Sequence, residues 1–295
     1  RIQTENLAFQ DVDLAALDDA ALLQHALRVI DHATAMFEEH FWLHGYDLCP
    51  IGLLLHSTQS WGLTPADVLP LLEGASPSTS EAEAELRRIH DLVTATGSQP
   101  SSLAQLRSLS PEIDALVDHF LRLRGHLVIS RYDIDGLLLI DSPEILVSRI
   151  MNARDVMSRV AAVDTVLTSR RKALREQIPE ANRDEFDMLL EEARAAMDLR
   201  DDNGPHTVEW PLGLIRLALL EIGGRLVARG QITAAEHAFE VTLDELSTIW
   251  ADAPAAQELA RRHLWRTTVN VDDAPRKLGG PEPVPPLEVL PAPLA

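Results

Sequence analysis

The chain has 295 residues, 46% of them hydrophobic and 24% charged, with 46 Asp and Glu against 26 Lys and Arg for a net charge of -20. There is enough chain for one large core or two modest ones, and the acidic balance argues against nucleic acid or an anionic membrane as a partner, since both require a concentrated basic patch. A single cysteine, Cys49, excludes a disulfide framework or a multi-cysteine zinc site and makes a reducing cytoplasm the simpler expectation, and no apolar run approaches the ~20 residues of a membrane span.

Residues 1–17 are mixed and acidic and read as an entry segment. Asp18 or Asp19 then caps a long helix with two apolar stripes. Leu23, Leu27, Ile30, Thr34, Phe37, Phe41 and His44 form one; Ala26, Val29, Ala33, Met36, His40 and Leu43 form the other. Gly45 is the expected end. A short apolar helix follows Pro50 and runs to about Trp61, and Thr64-Pro65-Ala66-Asp67 is a cap with a first turn. Ser80 with Glu83 predicts a capping box for the next helix, and Ser110-Pro111-Glu112 starts another with Ile113, Leu116, Val117 and Phe120 inward.

The run from His126 to Asp141 breaks the helical period and predicts an extended excursion rather than a sheet. Helices resume at Ser142-Pro143, and one from about Asn182 to Leu199 turns Phe186, Leu189, Leu190, Ala193 and Met197 inward. Residues 200–205 read as a polar, acidic bend. After it Pro211 opens a helix that is apolar on most sides, with Leu212, Ile215, Leu219, Ile222 and Leu226 on one stripe, closed by Gly230. Such a helix belongs in the middle of a bundle. One more is expected from about Pro254 to Arg266, and seven prolines between Pro275 and Pro293 mark 275–295 as a semi-rigid linker. The fold class is therefore all-α, a mostly antiparallel multi-helix bundle over residues 18–274 with one extended excursion near 126–141.

Several of these segments carry a resemblance. The stretch from Asp198 to Leu246, the FEEHFWLHG run from Phe37 to Gly45, and FLRLRGHLVISRYDID from Phe120 to Asp135, with Gly125 and Asp133, resemble the central helical region of the phosphoenolpyruvate-utilising enzymes. The rifampin phosphotransferase type is nearest. The resemblance implies a helical substrate domain that works with an ATP-grasp domain and a swivelling phosphohistidine domain, in cis or in trans, and the Pro-rich tail resembles the connection to the latter. ATP and Mg²⁺ are implied for such a parent enzyme and none is expected on this chain, which has no Thr-Ser-His-Ala-like segment and no ATP-grasp nucleotide site. The implied partner is a small-molecule phosphoryl acceptor. Where the family commonly has an arginine two residues after the turn glycine, this chain has Leu127.

Candidate site residues gather at the expected bend. Arg194, Arg200, Asp201, Asp202 and His206, with Trp210, read either as the polar edge of a substrate cleft between helices or as a solvated helix end followed by an Asp/Asn/Gly/Pro turn. No catalytic residue is assigned. His40 and His44 stand four apart with Glu39 beside them, a spacing that suits a metal; without HExxH, and within apolar stripes, they read as packing residues and no metal is expected. Trp42, Tyr46, Trp61 and Trp210 read as core or as the lining of an apolar pocket. No GxSxG, GxGxxG or GxxxxGK[ST] pattern is present. A stand-alone helical interaction module derived from such an enzyme is the alternative reading.

Overall fold

The computed structural model describes residues 1–270, 272, 274 and 275, with the backbone alone for 154–165. The chain is an all-α bundle: α1 (Ile2–Gln10), α2 (Asp19–Asp47), α3 (Cys49–Ser60), α4 (Pro65–Val68), α5 (Pro77–Ala95), α6 (Leu103–Ser108) and α7 (Pro111–Arg124) precede the excursion. After it come α8 (Pro143–Asn152), α9 (Arg154–Gln177), α10 (Arg183–Gly204), α11 (Trp210–Ala228), α12 (Leu243–Ser247) and α13 (Ala256–Thr268). No strand occurs among the described residues. The excursion closes on itself through a single antiparallel bridge between Val128 and Leu138, with Ile129 N–H donating to the Leu137 carbonyl at 2.8 Å. Most of the Pro-rich linker lies outside the described residues.

Local signals set the ends of many helices. The Asp18 carboxylate accepts the Ala21 N–H at 2.8 Å, Thr64 and Asp67 form a reciprocal capping box, and the Ser110 hydroxyl accepts the Ile113 N–H. Gly230 ends α11 with φ +69°, a conformation that glycine reaches without steric penalty. Other expectations need correcting. Ser76, not Ser80, caps α5, because Pro77 already fits the first helical turn. The long helix passes through Gly45 to Asp47, since a glycine within a helix lowers stability without forcing a stop. The first 17 residues hold α1, whose Asn6 is completely buried against the bundle.

Among the described residues, the three larger of four apolar clusters build most of the interior. One joins α5, α6, α7 and α8 through Leu86, Ile89, Leu106, Phe120, Leu146 and Ile150; another joins α3, α9 and α10 through Leu54, Leu174, Ile178, Phe186 and Leu190. The third sets Leu22 and Ala26 of α2 against Ala218, Ile222 and Leu226 of α11, closed by Ile249 and Leu259. Helix α11 is as central as its apolar sides predict, and two glycines let other backbone reach it. A methyl group on Gly213 would collide with the His126 carbonyl, and one on Gly223 with the Ala235 carbonyl. This contact holds the excursion against the start of α11.

Candidate functional site

The joint between α10 and α11 organises both polar regions of the molecule. The expected bend at 200–205 is not a bend. The chain stays helical through Gly204 (φ -58°, ψ -56°) and Pro205 (φ -51°, ψ -47°), passes through a π-helical turn at Pro205–Glu209, and enters α11 at Trp210. Proline normally drives the residue before it out of the α region by clashing with its Cβ; Gly204 has none, so the helix continues. In the i→i+5 pattern of a π turn, the partner of the His206 carbonyl would be residue 211, a proline without an N–H. Asn6 supplies the missing donor from α1: its Nδ2 donates to the His206 carbonyl at 2.9 Å, and its Oδ1 lies 2.7 Å from His32 Nε2. Turns of this type recur at functional sites.

One side of the joint opens into a cleft of about 480 Å³ between the start of α5, the end of α7 and the end of α10. Asp198, Asp201, Asp202 and His206 line it, opposite Leu127, Arg124 and Arg149. Two of the carboxylates hold the first turn of α5. Asp198 accepts the Ser78 N–H at 2.8 Å and the Ser76 hydroxyl at 3.3 Å, and Asp201 accepts the Thr79 hydroxyl at 3.1 Å. Burial pushes the His206 imidazole below its ordinary pKa, with nearby Asp202 pulling the other way.

The expected site residues therefore divide. Asp201, Asp202 and His206 share the cleft. Arg200 is exposed and, among the described residues, pairs with Asp201 at 3.4 Å. Arg194 donates to the Leu71 carbonyl and borders a separate small cavity with Leu167, Arg171 and Leu190. Trp210 is a core residue, 1% exposed, packed with Val29 and Leu214 and donating its indole N–H to Gln10 Oε1 at 2.8 Å.

The other side of the joint holds a cluster whose members lie some 160 residues apart. Asn203 Nδ2 donates to Asp47 Oδ2 at 3.0 Å and to the His40 carbonyl at 3.2 Å. Both partners only accept, so the orientation of the amide is determined and Asn203 Oδ1 faces His40 Nδ1 at 3.1 Å. The Thr207 hydroxyl donates to the Asn203 carbonyl, so its oxygen, 3.0 Å from the same imidazole nitrogen, accepts there. His40 Nδ1 thus carries the proton, and in the neutral ring Nε2 carries the lone pair. His44 follows the same logic, its Nδ1 standing 3.3 Å from both oxygens of Asp47. The rings also pack, as expected, against Phe37, Phe41 and each other, and the hydrogen bonds to Asn203, Thr207 and Asp47 are added to that packing.

Beside this cluster runs an apolar groove of about 440 Å³, lined by Ile30, Thr34 and Phe37 of α2 and by Thr207, Val208, Pro211 and Leu212, with Tyr132 at its edge. The Tyr132 hydroxyl donates to Glu209 Oε1 at 3.2 Å, and burial raises the pKa of both groups. Phe37 and Phe41, expected inward, are 51% and 60% exposed, and Trp42 is 78% exposed. The inward face of α2 is carried instead by Leu22, Ala26, Val29 and Met36. Tyr46 is also exposed, and Trp61 packs against the α3–α10 cluster.

Among the described residues no helix is long and apolar enough to cross a membrane, and no group of three or more His, Cys, Asp and Glu side chains is arranged to hold a metal ion. No protein-family model matches the chain, and no curated protein matches it.

Proposed function

We infer that this chain is the substrate-binding and scaffolding domain of a phosphoenolpyruvate-synthase-like or rifampin-phosphotransferase-like phosphotransferase. The observation that carries the reading is the pair of cavities, about 480 and 440 Å³, on either side of the π turn at Pro205–Glu209. Each is the size of a small-molecule site, and both take part of their lining from the Asp198–Leu246 stretch that carries the resemblance. The groove offers apolar walls with a few polar groups at its margin, the composition of a pocket that holds the body of an organic acceptor. The domain would contribute position and orientation, while a phosphohistidine on a partner domain delivers the phosphoryl group.

ATP and Mg²⁺ belong with the partner domains in this reading. In the cleft, Asp198 and Asp201 hold the first turn of α5, and among the described residues no group of three or more His, Cys, Asp and Glu side chains is arranged to hold a metal ion. With Leu127 in the cleft wall, the arginines lining it are Arg149 and Arg124, and Arg124 is already paired with Glu85 at 3.3 Å. Purified chain with ATP, Mg²⁺ and an acceptor is expected to give no phosphorylated product, and adding the ATP-grasp and phosphohistidine domains is expected to start transfer. Product from the chain alone, or no transfer by the complete assembly, would refute the assignment.

A second reading, a helical interaction module, is favoured by the exposed aromatic ridge of Phe37, Phe41, Trp42 and Tyr46 on α2. Phe41 and Trp42 lie outside both cavities, whereas Leu212 lines the groove. Loss of a bound protein partner on replacing Phe41 and Trp42 by Ser supports the module; loss of acceptor binding in Leu212→Arg, with Phe41 and Trp42 intact, supports the substrate domain.

A further inference from the structure

His40 and His44 lie four residues apart on one face of α2, with ring centroids 4.4 Å apart and ring planes at 70°. Hydrogen bonding determines the tautomer of each ring: His40 Nδ1–H is directed at Asn203 Oδ1 and Thr207 Oγ1, and His44 Nδ1–H at the Asp47 carboxylate. Neither Nε2 has a hydrogen-bond partner among the described residues, so two neighbouring imidazole lone pairs are left open. The arrangement is the one found behind metal-binding histidines, where the distal nitrogen donates to a carboxylate or carbonyl oxygen and thereby orients the ring and raises its basicity.

A second observation points to a cation. Asp47 is 1% exposed and has no Lys or Arg partner among the described residues; Asn203 and His44 alone satisfy it. The buried carboxylate is thus held by an amide and an imidazole rather than by a Lys or Arg.

We propose that His40 and His44 bind one divalent first-row transition-metal ion of the Zn²⁺ class through their Nε2 atoms, with Asp47, Asn203 and Thr207 orienting the two rings. Imidazole nitrogen suits such ions, and two histidines one helical turn apart are a recurrent part of their sites. Among the described residues no third His, Cys, Asp or Glu completes the shell. The remaining coordination positions therefore go to water or to a ligand lying along the neighbouring groove. This inference does not depend on the phosphotransferase reading and is tested on the chain itself.

The probe is Zn²⁺ alone, titrated calorimetrically into chelator-treated protein at neutral pH. The expected result is one ion per chain, lost in His40→Gln and in His44→Gln, and weakened about 10- to 100-fold in Asp47→Asn. Absence of a saturable site, binding that survives either histidine substitution, or an affinity unchanged in Asp47→Asn overturns the proposal. The last outcome would describe an ordinary exposed histidine pair on an acidic protein. Because Asp47→Asn removes a buried charge and can perturb folding, a measurement on unaltered protein stands beside it. Long-range proton–nitrogen correlation spectra at a pH where the rings are neutral are expected to show both imidazoles as the Nδ1–H tautomer, with the Nε2 resonances of both moving when Zn²⁺ is added. An Nε2–H tautomer at either residue overturns the orientation on which the site depends.

Discussion

The cleft beside Asp202 and the cluster around Asp47 hang from the same joint, yet they treat charge in opposite ways. In the cleft, carboxylates, two arginines and His206 line a wall open to water, and their ion pairs, such as Arg200–Asp201, remain partly exposed. In the cluster a single carboxylate is withdrawn from water and held by an amide and an imidazole. Exposed pairs contribute little because water already solvates each partner, whereas a buried acceptor that loses its donor retains the full desolvation penalty. Charged residues are denser in the cleft, but the polar groups on which folding depends are in the cluster.

The strongest test of that contrast is Asn203→Leu. It leaves the Asp47 carboxylate and the His40 carbonyl without their shared donor and should lower stability by about 3 kcal/mol in urea unfolding. A loss near zero would mean that water replaces the amide and that the two regions do not differ. Next comes the backbone contact that holds the excursion on α11. Gly213→Ala, which drives a methyl group into the His126 carbonyl, should cost about 2 kcal/mol. Gly224→Ala on the same helix meets nothing within 4 Å and should stabilise by up to about 1 kcal/mol. Equal effects at the two glycines would show that helix propensity, and not the close approach, decides the outcome.

Acid provides a smaller effect. Burial holds His25, His32, His126 and His206 below the ordinary histidine pKa. Below about pH 6.5 the unfolded chain takes up protons that the folded chain refuses, so stability is fully present above that pH and declines as pH falls toward the depressed folded-state values. The urea midpoint is expected to drop between about pH 7 and about pH 5. A midpoint that stays level across that interval would mean that these rings are solvated. The smallest effect belongs to the cleft: Asp202→Asn should change stability by less than about 0.5 kcal/mol in urea unfolding, and a larger loss would mean that this carboxylate is held as the Asp47 carboxylate is.

The helical periods, the caps at Asp18, Thr64 and Ser110, the stop at Gly230 and the centrality of α11 are all legible in the sequence by itself. Each depends on residues within one or two turns of one another, and apolar spacing reports burial wherever a helix meets an apolar neighbour. The candidate site is legible only in part. Asp201, Asp202 and His206 stand out as a polar run, but the run reads as a bend, because Gly-Pro normally ends a helix. It takes Asn6, some 200 residues away, to satisfy the carbonyl that the π turn exposes. The same limit hides the role of His40 and His44. Their spacing is visible, and so is Asp47 one turn beyond His44, whereas Asn203 and Thr207, which set the His40 tautomer, come from about 160 residues later in the chain. Phe37 and Phe41 follow the apolar period and still face outward, because periodicity places side chains on one face of a helix and only the packing of the whole chain decides whether anything covers that face.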